Sequence, residues 1–407
     1  MPAEPPHLPD RRVAYVHEWL TEWGGSEDVT RAMLQAVPGT ALHATIDFLK
    51  DGQRARFGAV PIHTTFLQKA PWSRAHFWNY LPLTPLAVET HDLRDADIIV
   101  SSSHAFAKGV LTTAEQLHVS YVHSPMRYAW DLHHEYLADY RLDRGAKGLL
   151  ARYLFHRLRL WDRQTANNVD LFLANSRHVQ RRIWRAYRRT ARVLYPPVGV
   201  QRLRFEAHKG DHYVSVSRLV SYKRVDLLLA AFRDMPDRKL VVVGDGPEMP
   251  RLRAMCPPNV ELLGYQSDEV VQQQLGSARA FLFAAHEDFG ISPVEAQACG
   301  TPVIAYGVGG SRETVRDLRS ETRPTGLLFD EQTPASLKAA VEAFDAASID
   351  PHDCRRWAEG FDEAVFQGRY RALLEQAWTA WCRDPSSVES ALGLDGGMQA
   401  PSRELQA

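Results

Sequence analysis

The strongest constraint on what this chain can fold into is a pattern that occurs twice. Short apolar runs alternate with longer stretches of helical periodicity. The first series begins at Arg12-Val13-Ala14-Tyr15-Val16-His17 and continues with apolar runs at 41–46, 97–101, 118–122 and 170–174, the later ones separated by helical patterns at 147–167 and 176–189. The second begins at His212-Tyr213-Val214-Ser215-Val216-Ser217 and continues at 239–243, 259–263, 280–284, 302–305 and 326–329. Runs this short and this apolar suit strands buried on both faces, and helical crossovers between them make the sheets parallel. Between the series, Arg192–Val198 with its Pro196-Pro197 pair stops the pattern and suits a stiff linker. The expected architecture is therefore α/β, with two doubly wound, Rossmann-like parallel-sheet domains over 11–198 and 199–362. An amphipathic helix is expected over 363–382. Residues 1–10 and 384–407, rich in Pro, Ser, Gly and Gln, read as disordered arms.

A length of 407 residues is more than one ordinary core can use, which agrees with two domains. The net charge of -1 gives no overall field for a polyanion, so nucleic acid is not an expected partner. Cys256, Cys299, Cys354 and Cys382 are widely spaced and read as reduced thiols rather than a disulfide frame. There is no D-x-D at a strand end, no H-x-x-H and no C-x-x-C, so no metal and no cofactor is expected. Apolar runs stay well below the ~18–20 residues of a membrane span, and Met1–Pro6 lacks the charge and apolar core of a secretion signal. These features imply a cytoplasmic protein with at most peripheral membrane contact.

The chemistry concentrates at the ends of the apolar runs. In His286–Gly310, Glu287 and Glu295 are separated by seven residues. The run 280–284 places Glu287 on a loop at a strand's carboxyl end. Ser292 is positioned to cap a helix whose first turn holds Pro293 and Glu295, and Gly300 ends it. The backbone N–H groups of Phe289, Gly290 and Ile291 then lie beside two carboxylates, an arrangement suited to a polar ligand. Arg218 and Lys223 follow the strand 212–217, five residues apart, and can straddle a diphosphate. Arg224 reads as structural. Gly24-Gly25, with Glu27 behind them, open a helix after the first strand, where glycine lets backbone approach a phosphate. Gly244-Asp245-Gly246-Pro247 reads equally as a ligand loop or an ordinary turn. His123 ends the strand 118–122 in His123-Ser124-Pro125-Met126-Arg127-Tyr128-Ala129-Trp130-Asp131, and His17 with Glu18 ends the first strand.

The stretch His286–Gly310 resembles the E-x7-E motif of retaining GT-B glycosyltransferases of the family 4, or group 1, type. Its flanks F-G-I-S-P-V-E-A and G-T-P-V-I-A share the resemblance, and the segment H-S-P-M-R-Y-A-W-D is similar to one in bacterial GDP-mannose-dependent mannosyltransferases. The resemblance spans about residues 12–380. It implies a retaining hexose transfer, with mannose from GDP-mannose favoured, to a glycan or lipid-linked saccharide acceptor of cell-surface polysaccharide. It also implies a ligand cleft between the two sheets and a last helix, 363–382, that crosses back to the first domain. Under it, Glu295 holds ribose. Glu287 and the amides of Phe289, Gly290 and Ile291 hold the sugar. Arg218 and Lys223 form the diphosphate clamp, Gly24-Gly25 touch the donor phosphate or the acceptor, and His123 contacts the transferred sugar. Arg127 and His17 are candidates for an acceptor or phosphate contact. The rival readings are a transferase for another hexose, of the UDP-glucose type, a sugar-nucleotide epimerase, a phosphorylase, and an inactive nucleotide-sugar-binding subunit. Arginines crowd 150–163 and 177–192. They read either as solvated helix faces or as a surface for anionic lipid headgroups.

Overall fold

The computed structural model describes residues 8–139, 142 and 144–394. The chain divides into two compact units, one running to Tyr195 and resuming at Phe366, the other from Pro196 to Val365.

The first unit is built on a seven-stranded parallel sheet: β1 Val13–His17, β2 Ala41–Ala44, β3 Ile62–Thr64, β4 Ile98–Ser103, β5 Leu117–Val122, β6 Leu171–Ala174 and β7 Arg192–Val193, in the order β3-β2-β1-β4-β5-β6-β7. Helix α1 (Gly25–Ala36) follows β1, α2 (Gly145–Thr165) precedes β6, and α3 (Arg177–Tyr187) follows it. The order reverses between β1 and β4, where the register pairs His17 with Ser102. A doubly wound sheet opens its crevice at that point, beyond the strands' carboxyl ends. Both faces of β1 are buried: Val13 and Tyr15 join one cluster, Ala14 and Val16 the other.

The helix Glu363–Arg383 completes the first of those clusters. Phe366, Tyr370, Leu374 and Trp378 recur at the four-residue spacing of one helix face and are buried with Tyr15, Met33 and Leu42. Its polar ties are local too: the Tyr370 and Tyr15 hydroxyls lie 3.1 Å apart, and Arg371 donates to the Ala36 carbonyl at 2.8 Å. The expectation of disorder over 384–407 does not hold for 384–394. Pro385–Ser387 and Val388–Ala391 are helical, and Val388, Leu392 and Leu394 are buried in the same cluster, so three apolar anchors outweigh the polar composition. Leu8–Asp10 likewise forms a helical turn with Leu8 buried. Residues 1–7 and 395–407, the rest of both expected arms, lie outside the described residues. Arg192–Val193, expected to open a linker, instead forms β7 beside β6.

The second unit carries a six-stranded parallel sheet of β8 His212–Val216, β9 Lys239–Val243, β10 Val260–Gly264, β11 Ala280–Phe283, β12 Val303–Tyr306 and β13 Gly326–Phe329. Its order is β10-β9-β8-β11-β12-β13, reversing between β8 and β11. Helices α4 (Val225–Arg233) and α5 (Ile291–Ala298) follow β8 and β11, so both begin at the edge where the crevice opens. Among the described residues no helix is long and apolar enough to cross a membrane.

Candidate functional site

In the second unit the loops after β8 and β11 bring two of the expected residues together. Lys223 lies in a helical turn, Ser221–Lys223, just ahead of α4. Its ammonium forms an ion pair with the Glu287 carboxylate, with the rings of Phe283 and Tyr222 centred 5.6 and 5.8 Å away. Arg218 is exposed on the same loop, between Ser217, whose N–H donates to Val243, and the buried Leu219. Arg224 takes a left-handed conformation, φ 54°, and donates to Gln332 at 2.9 Å, which agrees with its structural reading. The turn Gly244–Pro247 lies directly behind the Arg218 loop. A Cβ on Gly244 would stand 1.9 Å from the Ser217 carbonyl oxygen, so glycine is required there by backbone contact.

Glu287 leaves β11 through the buried Ala284 and Ala285. Its carbonyl accepts from the Gly310 N–H at 2.8 Å, which lays the loop after β12 against it. Gly309 has φ +78°, and a Cβ there would fall 2.2 Å from the Glu287 carbonyl oxygen. The pair Gly309-Gly310 therefore shapes the Glu287 loop, a role the sequence reading did not assign. A double glycine in the loop that begins after Tyr306 was the available signal. Phe289 is buried against Phe361, ring centroids 5.7 Å apart, so backbone is what it can offer a ligand.

The start of α5 differs from expectation. Its N-cap is Gly290, at φ 86°, not Ser292, and no side chain caps it. Ser292 is already the second helical residue, and Glu295, half-buried, is the fifth rather than a first-turn residue. The cause is Gly290 itself, which can take the left-handed turn that starts the helix two residues earlier. The leading N–H groups of α5 have no partner within their own helix, so its positive end points out of the loop that carries Glu287.

In the first unit the carboxyl edge is occupied by its own side chains. Glu18 is fully buried. Its carboxylate accepts from the Ser103 hydroxyl at 3.1 Å and from the N–H groups of His104, Ala105, Phe106 and Ala107 at 2.7 to 3.1 Å. Burial pushes the carboxyl up, but nearby His104 and the ring of amides bring it below its ordinary value. His17 is also fully buried, with Nε2 3.1 Å from Glu27 Oε1 and Nδ1 within 3.2 Å of the Ser102 and Thr30 hydroxyls. Glu27 in turn accepts from the Gly24 N–H at 3.0 Å and the Ser26 hydroxyl at 2.9 Å. Burial opposes its charge, yet His17, its own backbone N–H and the Ser26 hydroxyl hold its carboxyl at about 2. Gly24 and Gly25 remain exposed at the start of α1.

His123 stands half-buried just past β5, its Nε2 2.8 Å from Ser102 Oγ and its carbonyl accepting from Asn175 at 2.9 Å. Arg127 donates to Ser124 Oγ at 3.3 Å. Trp130 and Asp131 are structural: Trp130 donates to Asp162 at 2.7 Å, and Asp131 pairs with Arg182 of α3. Asp162 also forms a buried ion pair with Lys108 at 2.7 Å. A cavity of about 440 Å³ lies elsewhere in this unit beside His43, His63 and His91. Burial, with the neighbouring imidazoles, lowers His43 to about 4 and His91 to about 3. Among the described residues no three His, Cys, Asp or Glu side chains are grouped as a metal ion would need.

Two parallel Rossmann-like sheets with polar loops at their carboxyl edges define the GT-B fold class. Solved structures share it: the Anabaena HepE protein in complex with UDP and glucose (17% identity, TM-score 0.64, 89% of this chain and 99% of that one) and sucrose-phosphate synthase from Thermosynechococcus elongatus (16% identity, TM-score 0.65, 91% and 100%). At these identities the likeness establishes the fold. Residues 204–360, the segment carrying Arg218, Lys223, Glu287 and Glu295, match the family of glycosyl transferases group 1. Curated relatives include the GDP-mannose-dependent alpha-(1-6)-phosphatidylinositol monomannoside mannosyltransferase of Mycolicibacterium smegmatis, 30% identical over 230 residues. Another is a D-inositol 3-phosphate glycosyltransferase of Geodermatophilus obscurus, 36% identical over 156 residues. The matches cover 48% and 31% of this chain and span 59% and 32% of those relatives.

Proposed function

We propose that this chain is a retaining glycosyltransferase that moves a hexose, mannose from GDP-mannose first among the candidates, to a glycan or lipid-linked saccharide of cell-surface polysaccharide. The observation that carries the reading is the Lys223–Glu287 pair at the carboxyl edge of β11, inside the segment that matches the family. The GDP-mannose dependence of the Mycolicibacterium smegmatis relative supports the choice of donor. In this reading the donor replaces each partner of that ion pair, its diphosphate taking Lys223 and its sugar hydroxyls taking Glu287. Arg218 and Lys223 meet the charge that grows as the C1–O bond breaks and its electron pair leaves with the diphosphate. The acceptor hydroxyl forms the new bond to C1 from the same face, and its proton passes to the departing diphosphate oxygen. Glu295 holds the ribose hydroxyls, while the backbone of Phe289, Gly290 and Ile291 assists Glu287. His123 contacts the transferred sugar, and Arg127 and the Gly24-Gly25 turn serve a phosphate or the acceptor. His17, enclosed behind them, acts through its neighbours. With two cations and a helix N-terminus facing the diphosphate, the proposal requires no metal and no cofactor.

Incubating the protein with GDP-mannose, UDP-glucose and other nucleotide sugars, then weighing the products by mass spectrometry, tests the reading. Release of mannose and GDP without added metal is the expected result. Turnover confined to UDP-glucose would move the donor assignment, and inactivation by EDTA that a metal reverses would overturn the metal-free path. Tight binding with no turnover of any donor would leave an inactive nucleotide-sugar-binding subunit.

The proposal includes a membrane-bound acceptor, supported by the face of α2. Leu149, Leu150, Tyr153 and Leu160 are exposed there among Lys147, Arg152, Arg157 and Arg163, and the one acidic residue of the helix, Asp162, is buried. Such a face suits the headgroup boundary of an anionic bilayer. Binding to phosphatidylserine-containing vesicles should fall as salt shortens the screening length from ~10 Å at 0.1 M to ~3 Å at 1 M. Vesicle binding that is absent, or indifferent to salt, would remove the membrane from the proposal.

A further inference from the structure

A single buried hydrogen-bonded chain joins the Gly24-Gly25 turn to His123, two motifs far apart in sequence. The Gly24 N–H donates to Glu27 Oε2 at 3.0 Å, and Glu27 Oε1 lies 3.1 Å from His17 Nε2. On the other side of the ring, Thr30 Oγ1 stands 3.1 Å from His17 Nδ1 and donates to Ser102 Oγ at 3.0 Å. Ser102 Oγ is then 2.8 Å from His123 Nε2. Strand register makes this possible, because His17 on β1 and Tyr121 on β5 both pair with Ser102 on β4. Glu27, His17, Thr30 and Ser102 are all buried, whereas His123 is half-buried, so the chain surfaces at His123.

Hydrogen-bond accounting gives the chain a direction. An ionised carboxylate only accepts, so His17 must donate from Nε2 to Glu27. Thr30 has one hydrogen and two acceptors at 3.0 Å, the Ser26 carbonyl and Ser102 Oγ, and in either case Ser102 keeps a hydrogen of its own to give. The nearer acceptor is His123 Nε2 at 2.8 Å, against 3.2 Å for His17 Nδ1. We propose that Ser102 is a positioning residue for His123: its hydroxyl donates to Nε2, fixes the ring, and keeps the neutral imidazole's proton on Nδ1. A free imidazole prefers its proton on Nε2, and the hydrogen bond made by one ring nitrogen decides the state of the other. The role rests on the reading that His123 contacts the transferred sugar, since a ring held in one tautomer presents that sugar with one fixed pattern of donor and acceptor.

The test is made on the full chain carrying ¹⁵N-labelled histidine, at about pH 8, above the ordinary histidine range of ~6.5. Long-range proton–nitrogen spectra should show His123 with Nδ1 protonated and Nε2 bare. In Ser102→Ala the proton should move to Nε2. Turnover should fall by about 10- to 10²-fold, the scale of a misplaced reacting group, while calorimetric affinity for free GDP stays unchanged. Protonated Nε2 in the wild type overturns the proposal, and because that spectrum needs no variant, it decides even if Ser102→Ala does not fold. An unchanged tautomer and unchanged turnover in Ser102→Ala also overturn it. A wild type that turns over no nucleotide sugar defeats the transferase reading but leaves the tautomer result standing. Full turnover in His123→Ala removes His123 from the reaction, and this role of Ser102 with it, while the transferase reading survives.

Discussion

At the carboxyl edge of the first sheet, Glu18 is enclosed by amides from four consecutive residues, and Glu27 is enclosed by His17, Gly24 and Ser26. At the corresponding edge of the second sheet, Glu287 keeps 17% of its side chain exposed and Lys223 keeps 14%, each holding the other. The carboxyl edges of the two sheets thus carry two kinds of carboxylate, one after β1 and one after β11. One has exchanged water for a full set of fixed donors and cannot leave without stranding them. The other is neutralised by a flexible cation at the solvent boundary, and a ligand with matching charge can take its place. The difference separates an acid that builds an edge from an acid that can serve one.

Removing the enclosed acid should produce the largest effect. Glu18→Ala strands buried N–H groups and should destabilise the protein by about 3–5 kcal/mol, whereas Glu287→Ala, at a partly exposed pair, should change stability by less than about 1 kcal/mol. Denaturant titration of both variants checks this, and equal losses would erase the contrast between the edges.

Acid should expose the same contrast. Glu27 is held at about 2, below the ordinary carboxylate value. Its contribution is therefore complete above the unfolded value of ~4.3 and is lost as pH falls toward 2, up to about 3 kcal/mol in all. His43 and His91, at about 4 and about 3, are kept neutral in the fold. Their contribution is complete above ~6.5 and drains away at lower pH. Comparing wild type with Glu27→Gln at each pH cancels the histidine part. The difference between the two should shrink between about pH 4.3 and 2, and a difference independent of pH would mean Glu27 is not held ionised.

Next comes the half-buried pair. Lys223→Ala should lower turnover about 10²-fold with little change in melting temperature, because its charge is used as the leaving group departs. Unaltered turnover would place the diphosphate elsewhere. Smaller still, Glu295→Ala should weaken free nucleotide and nucleotide sugar alike by about 2 kcal/mol, the worth of hydrogen bonds to ribose. Calorimetry showing a loss for the sugar nucleotide alone would move Glu295 from the ribose to the hexose.

The strands were legible because buried parallel strands are written as contiguous apolar runs, and 280–284 or 302–305 admit little else. The Glu287–Glu295 spacing was legible for a related reason, lying wholly between two such runs. The start of α5 was not, since Ser292 is a plausible cap and nothing local reveals that Gly290 turns left-handed first. Nor was the enclosure of Glu18, whose donors lie 85 to 89 residues away and meet it through the pairing of β1 with β4. Val388, Leu392 and Leu394 were hidden by polar neighbours, their anchoring surface being supplied by distant strands and helices.

The helix Glu363–Arg383 also sets an order in time. A ribosome releases the chain from its amino terminus, and domains generally fold as units while they emerge. Here the first unit to be made is the last that can be finished, because Phe366, Tyr370, Leu374, Trp378 and Leu392 belong to the cluster around Tyr15 and Leu42. Until they appear, β1 and β2 wait with one apolar face uncovered, while the second unit has all of its strands in hand by Phe329. Stalled or truncated synthesis would therefore yield a mature second half beside an unsealed first half, the very surface that chaperones hold.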